Sequence, residues 1–364
     1  MALKNNALYG EIPSEIGLLT GLVTLDLSHN AIAGTIPTEI GLLTKLRDMY
    51  LTGNDIKGNL PTEIGNLSQL KHLQLAFNLI VGTIPTEIGK LSSLKSLFVA
   101  GRTGPNVMKG TIPSTIGLCT TLTNLALSNS AFSGSIPSEV GMLSDLEQLI
   151  LVGNYITGSI PSTLGSCTSL SLVHLFGNAL NGTLSSEIGL MTNLVDFLAN
   201  ANAISGSIPS TVGNLQNMTR LNLENNKMKG TIPTTIGSCE SLKDLILSFN
   251  NFEGNIPSEV GFMNELKTLL LGNNRLEGSI PSDLGKCQKL KLLDIPNNRW
   301  ISGTVPFELG NLSDLERFDF RGTRLTGTIP AEICSLRDGN LTQLLGDTPS
   351  FTVVAPECDC CGMQ

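Results

Sequence analysis

Residues 22–43 read LVTLDLSHNAIAGTIPTEIGLL, and nearly every position in the stretch has a role that side-chain chemistry can name. Leu25 and Leu27 alternate with Thr24, Asp26 and Ser28, the period-two pattern of a short strand with one buried and one wet face. One such strand cannot bury itself. Asn30 follows where the strand must turn, and an amide that both donates and accepts can satisfy backbone groups that would otherwise be buried unpaired. Gly34 and Gly41 admit conformations or close approaches that a Cβ would block, while Pro37 fixes φ where no ladder donor is needed. Thr38 is placed to cap a short helical turn, with Glu39 at its positive end.

The same unit organises the whole chain. A Gly-x-(Ile/Leu/Val)-(Pro/Ser) signature starts at Gly10, Gly34, Gly58, Gly82, Gly110, Gly134, Gly158, Gly182, Gly206, Gly230, Gly254, Gly278, Gly303 and Gly327. Successive spacings are 24, except for 28 after Gly82 and 25 after Gly278. Every copy carries the Pro except the one with Ser185. Stacked copies would form a parallel sheet with strands about 4.8 Å apart and a shared inner wall. Leu51, Leu75, Val99, Leu127 and Leu151 keep the Leu27 column apolar, down to Phe320. The Asn slot recurs at Asn54, Asn78, Asn154, Asn274 and Asn298, with Ser130 and Thr323 as polar substitutes.

Composition agrees with an array and excludes several function classes. The 364 residues include 38 Gly and 17 Pro but only one Trp, three Tyr and 12 Phe, a mixture that fits no ordinary enzyme core. A net charge of −8 disfavours nucleic acid and anionic lipid as partners. No apolar stretch approaches the roughly 18 residues of a membrane span. The opening MALKNNALYG lacks the basic and apolar segments of a secretion signal.

Catalytic patterns are missing. His29, His72 and His174 lie in repeats too far apart to converge, and neither HExxH nor a nucleophile elbow nor a kinase signature occurs. Gly82 to Gly89 before Lys90 has the wrong length for a phosphate loop. The expectation is a protein without enzymatic activity, cofactor or metal.

The LxxLxLxxNxLxGxIPxxIGxL unit resembles the 24-residue plant-type leucine-rich repeat of receptor-kinase ectodomains, receptor-like proteins and polygalacturonase-inhibiting proteins, over roughly residues 1–336. The resemblance implies an α/β repeat solenoid. It would be a right-handed, curved leucine-rich-repeat superhelix with a parallel β-sheet on the concave face, short 3-10 or helical turns on the convex face, and a second small sheet near the GxIP segment. Residues 1–336 form one solenoid of about 14 repeats in this reading, whose uncapped first edge suggests truncation, and residues 337–364 form a Cys-containing cap.

Function would then live in outward strand positions, because the inward ones are committed to packing. Candidate ligand-binding residues on the concave face are Asp48, Tyr50, His72, Phe77, Phe98, Gln148, Ile150, His174, Phe176, Asp196, Leu198, Arg220 and Glu224, with Asp244, Ile246 and Phe249 beyond them. Arg102 joins them from the four-residue insertion. Rigidly presented aromatic anchors with polar neighbours suit a protein or peptide ligand. Single exposed apolar residues are also ordinary on any surface.

The cysteines form two populations. Cys119, Cys167, Cys239 and Cys287 occupy the inward slot held elsewhere by Leu43 and Leu67, where a thiol acts as a small hydrophobe. Cys334, Cys358, Cys360 and Cys361 cluster at the end, resembling the Cys-rich caps of secreted and algal repeat proteins. Disulfides, reduced thiols and a metal site are all open there, the adjacent pair making an awkward chelate. Glycosylation triplets fall at Asn66, Asn181, Asn217, Asn311 and Asn340.

These readings converge on a receptor-like recognition scaffold at the cell surface or outside the cell. It would bind a protein or peptide rather than nucleic acid, and a membrane-anchored longer protein is compatible with it. Two alternatives stay open. One is a secreted hydrolase inhibitor of the polygalacturonase-inhibitor kind. The other is an ice- or polysaccharide-binding protein using the Ser/Thr columns that run through Thr35, Thr83 and Thr111 and through Thr38, Thr62 and Thr86.

Overall fold

The computed structural model describes residues 1–101 and 108–346, in two compact units, Met1–Asn181 and Gly182–Gln364. In the first, the strands Thr24–Asp26, Asp48–Tyr50, His72–Gln74, Ser96–Ala100, Asn124–Ser128, Gln148–Ile150 and Leu172–His174 pair in parallel in chain order. Their central residues stay in register from Leu25 through Met49, Leu73, Leu97, Leu125 and Leu149 to Val173, each at most 1% exposed. The second unit builds the same ladder from Asp196–Leu198, Arg220–Asn222, Asp244–Ile246, Thr268–Leu270, Leu292–Asp294, Arg317–Asp319 and Gln343–Leu345. Each repeat thus contributes one wall of a core that no single repeat could close.

The Asn column does what its chemistry predicts. Asn54, buried, accepts from Ile32 N at 3.0 Å and donates to Leu27 O and Leu51 O at 2.9 and 3.0 Å, so one side chain ties two repeats together. Where the amide is replaced the tie thins. Ser130 donates only to Ser128 O (3.1 Å) and Thr323 only to Phe320 O (2.7 Å) among the side-chain bonds described.

Beyond the Asn corner the chain pairs a second time, for example Tyr9–Glu11 with Ala31–Ala33 and Arg275–Gly278 with Trp300–Gly303. It then passes the Pro into a five-residue 3-10 turn such as Thr38–Leu42. Two glycines show why the slot tolerates nothing else. Gly58 has φ +76° with Thr35 Cγ2 beneath it, and a Cβ on Gly41 would come within 2.7 Å of Glu63 Cβ in the next turn.

One expectation fails locally. Thr38 does not cap its turn: the capping position is Pro37, which has no side-chain acceptor, and the Thr38 hydroxyl instead donates to Glu39 Oε2 at 3.2 Å. Among the described residues only Ser185, where the Pro is missing, has a capping side chain that accepts from the turn, from Glu187 N at 3.5 Å. In the last repeat the helix Ala331–Ser335 replaces the 3-10 turn, burying Ile333, and Leu341 is buried after it. Among the described residues no helix is long and apolar enough to cross a membrane.

Candidate functional site

Three-residue strands leave two outward side chains each, and the two residues after each strand's second leucine extend that surface toward the Asn corner. In Met1–Asn181, Asp48, Tyr50, His72, Phe98, Gln148, Ile150, His174 and Phe176 all lie on this face, half-buried by neighbours above and below. Asp48 accepts from Thr24 Oγ1 at 3.0 Å, and the Tyr50 ring stacks on His72 at 6.4 Å between centroids, 23° from parallel. Burial, then the charge and hydrogen bond of Asp48, raise the Tyr50 phenol, so it stays a neutral donor at ordinary pH.

Phe77 stands apart. It is 48% exposed at φ +56°, a left-handed conformation in which bulky residues are rare, and Phe249 in the second unit repeats the arrangement at 54% and +57°. Other repeats fill this slot with Gly53, Gly153, Asn129, Asn225 or Asn273, which tolerate it, but also with His29 and Ala201. The left-handed backbone is thus a property of the corner, and what sets Phe77 and Phe249 apart is an exposed phenyl ring there.

In Gly182–Gln364 the candidate residues divide. Arg220 is exposed and Glu224 and Leu198 half-buried, but Asp196 is only 5% exposed. Arg220 grips it with both nitrogens, Nε at 2.8 Å from Oδ1 and Nη2 against Oδ2, and Thr219 Oγ1 adds a third donor at 3.2 Å. Asp196 is therefore a structural partner that fixes Arg220, not an exposed contact. The hydrogen bond to Asp196 raises the Arg220 guanidinium further above its usual value.

Below Glu224 the face opens into a cavity of about 550 Å³ lined by Phe249, Leu270, Asp294, Pro296, Arg317, Asp319 and Arg321, with Glu224 at its margin. Four of these form a linked charge set. Arg321 donates to both oxygens of Asp319, Nε to Oδ1 at 2.9 Å and Nη2 to Oδ2 at 2.6 Å, while Arg317 bridges Asp319 (3.1 Å) and Asp294 (3.0 Å). The Asp319 side chain is 1% exposed, yet those of Arg317 and Arg321 are 36% and 47% exposed. Burial alone would raise Asp319; the hydrogen bonds and charge of Arg321, with help from Arg317, outweigh it and leave the carboxyl below its ordinary range. At Asp294 burial wins over Arg317 and the carboxyl is raised.

The residues expected to bind therefore do not gather at one point; they spread along the outward face of each unit. The charge set was missed from sequence, although RFDFR at 317–321 alternates charged and aromatic residues with the strand period. Arg102 and its insertion, and Cys358, Cys360 and Cys361, lie outside the described residues. Cys119, Cys167, Cys239 and Cys287 are free and buried as expected, each thiol pushed up to about 11 by burial.

Residues 1–100 match the model of a leucine-rich repeat region, and residues 145–167, 217–239, 241–263, 265–287 and 314–336 match single leucine-rich repeats. No curated protein matches the sequence significantly. Among solved structures, the plant peptide hormone receptor RGFR1 in complex with RGF2 is 34% identical over 95% of this chain and 58% of its own, with a TM-score of 0.86. The Arabidopsis receptor kinase HAESA, solved with the peptide hormone IDA and the co-receptor SERK1, gives 31%, 95%, 61% and 0.80. A plant ice-binding protein gives 29%, 68%, 78% and 0.58. The chain spans about three-fifths of the two receptor chains. With parallel in-register strands, an Asn ladder and 3-10 turns recurring along it, the chain belongs to the plant-type leucine-rich-repeat proteins.

Proposed function

We propose that the chain is a non-enzymatic recognition scaffold of the receptor-ectodomain kind, working at the cell surface or outside the cell and binding a protein or peptide on its outward strand positions. The observation that carries this reading is the cavity in Gly182–Gln364. It combines an exposed, conformationally disfavoured aromatic, Phe249, with two guanidiniums held by the buried Asp319, one of them also by the half-buried Asp294. Aromatic and Arg side chains of this sort dominate binding energy at interfaces, and their pre-set conformations reduce the ordering cost of binding. RGFR1 and HAESA, whose solved complexes hold the peptide hormones RGF2 and IDA, support the peptide reading. A disulfide at Cys334 supports an oxidised cap and hence an oxidising compartment.

The test is selection of a phage-displayed library of short peptides on the purified protein. Enriched peptides should lose about tenfold or more in affinity on Phe249→Ala with Arg321→Ala. Enrichment that ignores both substitutions would refute the site, and no enrichment at all would refute peptide recognition.

A second reading has one specific support. The Ser/Thr column of Thr35, Thr83, Thr111 and Ser135 is exposed in each repeat, and an ice-binding plant protein shares the fold. The column also has a packing role, since the Thr35, Thr83 and Thr111 methyls lie under Gly58, Gly110 and Gly134. Thermal hysteresis by the purified protein would establish this reading; growth of unmodified ice would dismiss it.

A further inference from the structure

In Gly182–Gln364 the residue that follows each strand's second inward position reads Asn200, Glu224, Ser248, Gly272, Pro296 and Arg321 along the stack. Backbone bonds tie this column repeat to repeat: Asn225 N donates to Ser248 O at 3.0 Å, Phe249 N to Gly272 O at 2.9 Å, and Asn273 N to Pro296 O and Asn297 N to Arg321 O at 2.7 Å each. Glu224 is the column's one acid and Arg321 its one base. Between them stand Ser248, Gly272 and Pro296, whose short side chains leave the room that the cavity of about 550 Å³ occupies. Four strand intervals of about 4.8 Å set the two charged residues roughly 19 Å apart, well beyond a Debye length of about 8 Å, so Arg321 does not neutralise Glu224.

The two ends of the cavity also differ in what already binds their charges. Arg321 and Arg317 hold Asp319, and Arg317 holds Asp294 as well. Glu224, half-buried, is not so held. Its backbone N donates to Asn222 Oδ1 at 3.0 Å, but no ion pair or hydrogen bond among the described residues engages its carboxylate. Three carboxylates and two guanidiniums line the cavity, so one negative charge is uncompensated, and it belongs to Glu224. The surroundings make such a charge costly: at Asp294 burial outweighs even an adjoining Arg317.

Phe249 lines the same cavity from the next repeat, its ring 54% exposed on a backbone fixed at φ +57°. Lys286 lies over Phe262 and Arg324 over Trp300, but no cation among the described residues lies over Phe249. An open aromatic face and an unpaired carboxylate in one cavity complement an ammonium or guanidinium, which is attracted by the ring's quadrupole and by the charge together. An anionic group would be repelled by Glu224, and a neutral one would leave its charge uncompensated.

Resting on the peptide reading above, we propose that Glu224 and Phe249 form a subsite for a cationic group of the bound peptide, its amino terminus or a Lys or Arg side chain. Both sources present the same chemistry, a positively charged nitrogen centre with N–H donors, and the experiment separates them.

Peptides enriched by phage display on the whole chain are synthesised in three forms: as selected, with the amino terminus acetylated, and with Lys and Arg replaced by norleucine and citrulline. Their affinities for the parent, Glu224→Gln, Glu224→Asp and Glu253→Gln are measured by calorimetry at about 0.15 M salt. Glu224→Gln should weaken the unmodified peptides about tenfold, whereas Glu224→Asp, which keeps the charge, should weaken them less. The peptide form that has lost the seated cation should bind the parent about tenfold more weakly and be indifferent to Glu224→Gln, and which form behaves so names the amino terminus or the side chain. Glu253 is an exposed acid outside the cavity, and Glu253→Gln should change affinity less than about twofold.

Peptides that lose affinity on Phe249→Ala with Arg321→Ala, yet bind Glu224→Gln as tightly as the parent, would overturn the subsite and leave peptide recognition standing. Equal weakening by Glu253→Gln would also overturn it, by reducing the effect to general charge. The absence of any enriched peptide would overturn both readings. Should Glu224→Gln misfold by circular dichroism, the parent chain alone decides: acetylated and side-chain-neutral peptides that both bind it as tightly as the unmodified ones would overturn the proposal.

Discussion

Arg321 holds Asp319 through two side-chain hydrogen bonds, 2.9 and 2.6 Å long, and donates a third from its own backbone N to Oδ1 at 3.2 Å. A carboxylate so held is nearly sealed from water, and its ionised form is favoured in the folded chain. Because its folded pKa lies below the ordinary 3.8, its contribution to stability is complete above that value and is lost as pH falls through the depressed one. Asp294 works in the opposite sense: its raised pKa means that the charged form costs stability at neutral pH, a cost relieved on acidification.

Asp319→Asn should therefore lower stability at pH 7 by about 2 kcal/mol, the scale of charge-assisted hydrogen bonds left half-made. The difference from the parent should shrink as pH drops below about 4, because the parent loses the same charge there. Thermal melts of both proteins from pH 7 to pH 2.5 check this, and a difference that stays constant with pH would assign the loss to packing. Asp294→Asn should cost less at pH 7 than Asp319→Asn.

Asn274 makes the strongest prediction about the fold. It is buried, accepts from Phe252 N at 3.0 Å, and donates to Leu247 O and Leu271 O at 3.0 Å each. Asn274→Ala strands three buried backbone groups, at roughly 1–3 kcal/mol per group before relaxation. The loss should exceed about 3 kcal/mol in urea unfolding, and hydrogen exchange should rise first in the adjoining repeats.

That same Asn explains why the fold was legible. Each slot of the repeat is fixed by chemistry acting within a repeat or on the next one, so the inward leucines, the Asn corner and the cysteine substitutions could be read from period alone. The site was less legible because outward positions are decided by which neighbours they meet. Asp196 looked like an exposed acid until Arg220, 24 residues on, covered it. Arg317 and Asp294 likewise meet across 23 residues. Phe77 and Phe249 were readable as outward aromatics, but their left-handed backbone was not, since it shows only once the corner is built. Thr38 misled because the residue before a helical turn usually caps it, whereas here that residue is Pro37.

Ser185 offers a gain rather than a loss. Its φ of −77° and ψ of 152° match the prolines that fill this slot elsewhere, such as Pro37 at −70° and 149°. Ser185→Pro should stabilise by about 0.5 kcal/mol through the unfolded chain, after subtracting the long 3.5 Å cap bond to Glu187 N. A small rise in melting temperature is expected, and a fall would mean that the serine–glutamate contact outweighs the backbone effect.

The buried thiols predict a clear chemical result. Cys119, Cys167, Cys239 and Cys287 are at 0% exposure with pKa values pushed up to about 11, and Cys119 Sγ also donates to Ile88 O at 3.2 Å. At pH 8 they should resist iodoacetamide in the native protein and alkylate fully in urea, because only the thiolate reacts. Mass spectrometry of peptides from both samples decides, and labelling of any of the four in the folded state would show that its repeat opens.

Phe249 brings stability and function into opposition. The neighbouring repeats place Asn225, Asn273 and Asn297 in its slot at φ +53°, +56° and +58°, so Asn fits this backbone with less strain than Phe. Because the ring is 54% exposed, replacing it forfeits little burial. Phe249→Asn should thus raise stability by about 0.5–1 kcal/mol while weakening peptides selected on the parent protein about tenfold. The two readouts are separable: urea unfolding reports the first and a binding titration the second. A variant that is more stable and binds unchanged would show that the ring is a tolerated ornament of the corner. One that is less stable would show that the ring packs on Pro296 or Leu270 across the cavity more than its exposure suggests.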